Sequence, residues 1–247
     1  MKRDVEIFDN GDLARLIKSE RFSDRVNRIQ RAQLSVEAHF LVDKMFGFDS
    51  YSFEPIKTGS PNSVIPTFEH PQRILDLDDD HHVLPLMKKR KKAQKYGLVN
   101  LHTHPSGHPF PSPDDLEVKT YTWSGLPGDS LNLILTFSED VPYLTAFEKL
   151  SREEHARLTW KDYVGALFDE VKALGITPEN GVDIINMGIS NKQWKTIVRN
   201  SLETMGTRGI YFPLSAPEEE VKEALAGFKV YGDRTNLNYS WIPNRER

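Results

Sequence analysis

Residues 101–117 read LHTHPSGHPFPSPDDLE: two histidines one residue apart, a proline-rich spacer, and a Ser-Pro-Asp-Asp that opens a helix. Taken singly, these residues have ordinary explanations. Ser112, Pro113 and Asp115 suit an N-cap, a first-turn proline and an acidic third helical position. His102 and His104 suit the polar end of a strand. Taken together they suit more than that, because positions i and i+2 of a strand project to one face and Pro105 stops the strand where those side chains become accessible. A helix N-terminus follows within reach, and its positive end keeps Asp115 ionised, as a metal ligand has to be. Two neutral imidazoles and one carboxylate form a catalytic zinc set with the fourth position left for water.

The pattern His102-Thr103-His104-Pro105, six residues, Ser112-Pro113-Asp114-Asp115 resembles the H-[ST]-H-P-x6-S-x-x-D motif of the JAMM (MPN+, JAB-domain) zinc metalloproteases. The likeness spans residues 25–150. It implies an α/β (α+β) fold in which a mixed β-sheet is flanked by helices, and a Zn2+ ion held by His102, His104 and Asp115. It further implies that Ser112 donates its hydroxyl to the developing oxyanion and that a glutamate on an early strand serves as general base. The expected reaction is hydrolysis of a peptide or isopeptide bond, with the C-terminal tail of a ubiquitin-like or sulfur-carrier-like protein as substrate.

Glu37, Glu54 and Glu69 compete for the role of base. Glu37 is favoured, since it opens the apolar run EAHFLVDKM and the following SYSFEPIKTGSPNSVI is similar to the family's second and third strands. Glu54 is its rival, although Pro55 follows it, and Glu69 beside His70-Pro71 reads as loop. The segment AHFLVDKMFG complies only in part with the Gly-Leu-rich stretch that follows this glutamate in the family. His108 is read as a loop histidine, and His39, His70 and His155 as structural or surface residues.

Outward from this centre, residues 1–24 read as a lead-in, 25–150 as the metalloprotease-like domain and 151–247 as a C-terminal α+β extension. RFSDRVNRIQRAQL (21–34) is polar enough for a surface helix. SVEAHFLVDKM, SYSFEPIKTG and SVIPTFEHPQ suggest an antiparallel meander. An acidic run containing His81 and His82 abuts Lys88, Lys89, Arg90, Lys91, Lys92 and Lys95, read as a helix face ending at Gly97. LVNLH (98–102), LNLILTF (131–137) and YLTAFEKL (143–150) read as strands and LEVKTYTW (116–123) as a helix. Beyond them SREE at Ser151 reads as a capping box, and Trp160, Val164, Leu167, Val171 and Leu174 recur at core-packing helical spacing up to Gly175. Ser190 with Gln193 and Ser215 with Glu218 read as further helix starts, and IYF (210–212), FKVY (228–231) and NYSWI (238–242) as apolar or aromatic runs between them.

A chain of 247 residues, 38% hydrophobic, is long enough to bury a real core. It contains no cysteine, which excludes disulfides, thiolate ligands and cysteine nucleophiles. The net charge of -4 argues against a nucleic-acid partner, which leaves a JAB-type protein touching phosphates through Lys88–Lys95 as a minor alternative. No apolar run approaches the ~20 residues of a membrane span, so a cytoplasmic protein is expected. A scaffold or binding module of the same fold is the other alternative, and the complete ligand set argues against it.

Overall fold

The computed structural model describes residues 5–32, 36–45, 51–53, 56–59, 73–74, 96–104, 107–116, 131–148, 150, 157–176, 188–228 and 230–232. The strands are β1 (Val5–Phe8), β2 (Ala38–Met45), β3 (Tyr51–Phe53), β4 (Lys57–Thr58), β5 (Arg73–Ile74), β6 (Tyr96–Thr103), β7 (Leu131–Ser138), β8 (Val141–Phe147), β9 (Gly209–Pro213) and β10 (Val230–Gly232). The helices are α1 (Asn10–Lys18), α2 (Glu20–Ala32), α3 (Pro113–Leu116), α4 (Trp160–Ala173), α5 (Asn191–Thr204) and α6 (Glu218–Ala224).

An eight-stranded sheet runs β5-β4-β2-β6-β7-β8-β9, with β3 also paired to β2. All pairings are antiparallel except β6 with β7, so the sheet is mixed. β1 and β10 form a separate two-stranded sheet. Among the described residues no helix is long and apolar enough to cross a membrane.

Strand side chains alternate between two faces, and here the alternation separates two cores. Phe40 and Val42 of β2, Val99 and Leu101 of β6, Leu133 and Leu135 of β7 and Leu144 of β8 pack with α1, α2 and α6. Ile134 of β7, Phe147 of β8 and Tyr211 of β9 pack on the opposite side with Phe110, Leu116, α4 and α5. His39, Asn100, His102 and Asn132 occupy alternate positions on the second face. Buried polar groups of this kind need partners or a task.

Several local expectations differ from the structure. Gly97 is not a helix C-cap but a β6 residue paired with Lys44. The surface helix expected from residue 21 is present as α2, which buries Phe22, Val26 and Ile29 on one stripe and exposes most of its polar residues. The cap of α6 is Pro217 without a side-chain bond, and Ser215 sits exposed in the turn before it. Trp160 is 69% exposed instead of packed in the core, because it stands at the first position of α4 and stacks outward on Tyr163. The cap of α4 is Thr159 with Asp162, in a capping box. The Ser190–Gln193 box heads α5 as its sequence suggests. The expected SREE cap, residues 117–123, the Lys88–Lys95 run, His70, His81, His82, His155, SVIPTFEHPQ and NYSWI lie outside the described residues.

Candidate metal centre

The centre forms where β6 ends. His102 and His104 share the second sheet face, and His104 leaves the strand as its N–H bonds Leu135 O of the parallel neighbour β7 (3.4 Å). Gly107 then donates to His104 O at 2.9 Å with φ 73, a left-handed conformation natural to glycine. The chain turns back over the sheet through buried Pro109, Phe110 and Pro111 into α3.

That return segment is pinned from three directions. Thr145 Oγ1 of β8 donates to Pro109 O (2.6 Å), Tyr163 Oη of α4 to Pro111 O (2.7 Å), and Leu150 N to Leu116 O (3.0 Å). Rings of the later helices close around it: Tyr163 lies 5.6 Å from Phe110 and Trp194 of α5 lies 5.4 Å, edge-on, from His108. The stretch after residue 150 therefore helps to hold the loop that carries Ser112 and Asp115.

His102 Nε2, His104 Nε2 and the Asp115 carboxylate converge. The two nitrogens are 3.2 Å apart, Asp115 Oδ1 is 3.2 Å from His102 Nε2, and Oδ2 is 3.4 Å from His104 Nε2. Among the described residues this group could hold a metal ion. Burial by itself would raise the Asp115 pKa, but the facing His102 and His104 outweigh it and hold the carboxyl well below the usual range. Asp115 is thus ionised without recourse to the dipole of α3, which has only four residues.

Supporting contacts orient these ligands. His104 Nδ1 lies 2.8 Å from the carbonyl of His108, so its proton sits on Nδ1 and Nε2 is free to face a cation. His108 is in the loop as expected, yet its ring is largely buried, and burial, followed by the nearby His104, lowers its pKa to about 4. Ser112 caps α3: its N–H and hydroxyl both donate to Asp115 Oδ2 (2.8 and 2.7 Å), and Asp115 N–H donates to Ser112 Oγ (3.2 Å). The cap and the candidate ligand set share Asp115, so neither reading displaces the other.

Glu37 immediately precedes β2 and is half-buried. It stands two positions before His39, whose partner across the β2–β6 pair is His102. Glu54 and Glu69 lie outside the described residues.

Two residues at this face had no role in the sequence. His39 is buried opposite His102, its Nε2 2.6 Å from Asn100 Oδ1. Burial first, then the charges of His102 and Lys57, pushes it down to about 3, so the ring is neutral. Tyr163 is the other. The i, i+2 spacing of Glu37 and His39 carries a signal for the first, whereas nothing local to TWKDYVG marks Tyr163 as a neighbour of the spacer.

No family model matches the chain, and neither does any curated protein or solved structure.

Proposed function

We propose that this chain is a zinc-dependent metallo(iso)peptidase of the JAMM type, hydrolysing a peptide or isopeptide bond at the C-terminal tail of a ubiquitin-like or sulfur-carrier-like protein. The observation that carries the reading is the mutual spacing of the three ligand groups, 3.2, 3.2 and 3.4 Å. A tetrahedral zinc with arms of ~2.05 Å sets its ligand atoms roughly 3.3 Å apart. The two imidazole nitrogens stand at that separation, and one carboxylate oxygen lies near each, Oδ1 beside His102 and Oδ2 beside His104, on a strand end and a pinned loop.

Bound there, zinc would supply a water acidified toward a pKa of ~7 and a polarised carbonyl. The chain's own residues do the rest. His102, His104 and the ionised Asp115 would present three donors, leaving the fourth position of a tetrahedral ion for water. Glu37 takes the proton released by the attacking water and returns it to the leaving amine, an α-amine for a peptide or a lysine ε-amine for an isopeptide. Ser112 Oγ–H, turning from Asp115 Oδ2, donates to the carbonyl oxygen as negative charge gathers on it. The substrate tail lies extended beside the site and binds through main-chain hydrogen bonds.

Elemental analysis of wild type and Asp115→Ala tests the reading without a known substrate. One zinc per chain in wild type and a sharp loss in the variant are expected. Absence of zinc after reconstitution would return residues 101–117 to a strand end and a capped helix. Iron in its place would turn the reading to a two-histidine, one-carboxylate oxygenase-type centre.

A further inference from the structure

A histidine that faces a cation through Nε2 carries its proton on Nδ1, and it keeps its orientation by giving that proton to an acceptor. His104 has such an acceptor, the His108 carbonyl at 2.8 Å. For His102 the residue directly opposite across the β2–β6 pair is His39, and directly opposed side chains have Cβ atoms ~4.5–5.5 Å apart.

His39 is 3% exposed. Its Nε2 meets Asn100 Oδ1 at 2.6 Å, and an amide oxygen only accepts, so the ring proton lies on Nε2. The Asn100 amide is itself oriented, because its Nδ2 donates to Asn132 Oδ1 at 3.2 Å. His39 Nδ1 is left as a bare lone pair. Among the described residues it is the buried side-chain polar atom with no hydrogen-bond partner. Such atoms are rare in folded proteins, because an unmade buried bond costs stability.

The geometry points to His39 as a positioning residue of the metal centre: its Nδ1, unbonded in this structure, would accept the proton that His102 must carry on its own Nδ1 once a metal occupies His102 Nε2. This inference rests on the metal reading above. The two bonds present, His39 to Asn100 and Asn100 to Asn132, would then be joined by a third from His102 to His39, all running in one direction so that each polarises the next. The relay reaches from β2 across β6 to β7 and fixes one ligand ring, as the pinned spacer fixes the other.

The test compares zinc affinity, by chelator competition, in wild type, His39→Phe and His39→Gln. Phenylalanine keeps the ring's bulk and removes both nitrogens, and zinc affinity is expected to fall about 10–100-fold. Glutamine offers an acceptor and a donor and should recover part of that loss, which mere core filling would not. A folded His39→Phe that binds zinc as tightly as wild type overturns the inference while leaving the metal reading intact. Wild type that binds no zinc overturns both. Should His39→Phe fail to fold, imidazole nitrogen NMR of the wild type decides: zinc loading is expected to move His39 Nδ1 away from the shift of a bare lone pair. An Nδ1 signal unmoved by zinc overturns the assignment.

Discussion

The hydroxyl of Tyr163 donates a 2.7 Å hydrogen bond to the carbonyl of Pro111, the residue before Ser112. Helix α4 thereby reaches across 52 positions of sequence to hold the loop that delivers Asp115. Burial pushes the Tyr163 phenol upward, with the Asp115 charge adding to it, so the group stays protonated and donating at any working pH. Tyr163→Phe leaves a buried carbonyl without a donor and is expected to cost ~1–3 kcal/mol of stability. Zinc should also dissociate faster. Denaturant unfolding and chelator-driven release read the two effects, and wild-type values in both would mean that α4 is no support for the site.

Ser112 caps α3, and the proposed mechanism gives it a second task, donation to the oxyanion, which one substitution separates from the first. Ser112→Ala removes the cap of α3 and should cost ~1 kcal/mol with zinc content unchanged. Loss of the oxyanion donor is expected to lower turnover by about 10²–10³. If stability falls by the cap alone while turnover holds, Ser112 is no donor.

Glu37→Gln keeps shape and removes the carboxylate proposed as proton acceptor. Zinc binding should persist while cleavage of a ubiquitin-like protein bearing a C-terminal extension drops by about 10²–10⁴. Glu54→Gln is the control, and loss of cleavage there with Glu37→Gln fully active would move the base to Glu54.

The metal-free protein should lose stability on mild acidification. Burial holds His39 at about 3 and His108 at about 4, both below the ordinary 6.5. Between those values and 6.5 the unfolded chain binds protons that the folded chain refuses, so stability rises with pH. It is fully present above 6.5 and drains as pH falls, by at most ~1.4 kcal/mol per pH unit for each histidine. Asp115, shifted down, adds its own loss only at lower pH, where its carboxyl protonates. Urea midpoints from pH 8 to pH 4 check the slope, and His39→Phe should make it shallower.

Gly209 opens β9 against α5, where an added β-carbon would overlap Leu202 Cδ1. Gly209→Ala is expected to destabilise by ~1–3 kcal/mol through overpacking. A thermal melt at the wild-type temperature would show that α5 moves aside freely.

The residues 101–117 were legible because everything they need is local. Period-two alternation puts His102 and His104 on one face, and the Ser112–Asp115 spacing caps a helix while setting a carboxylate beside them. Long apolar strands such as LNLILTF announced themselves for the same reason, and the Ser190–Gln193 box marked the start of α5. What the sequence by itself determined is therefore the convergence of His102, His104 and Asp115 into a group that could hold a metal ion, and the mixed α/β character of the chain. Only the tertiary structure decided which residues surround the donors. The pairing of His39 with His102, the Asn100–Asn132 bond and the grip of Tyr163 and Trp194 on the spacer join positions tens of residues apart, through a register and a helix docking set by the two cores. Gly97 failed as a cap for the same physical reason: pairing with β2 outweighs a local preference for ending a helix. Trp160 failed as a core residue because helical period alone does not say where a helix stops facing its sheet.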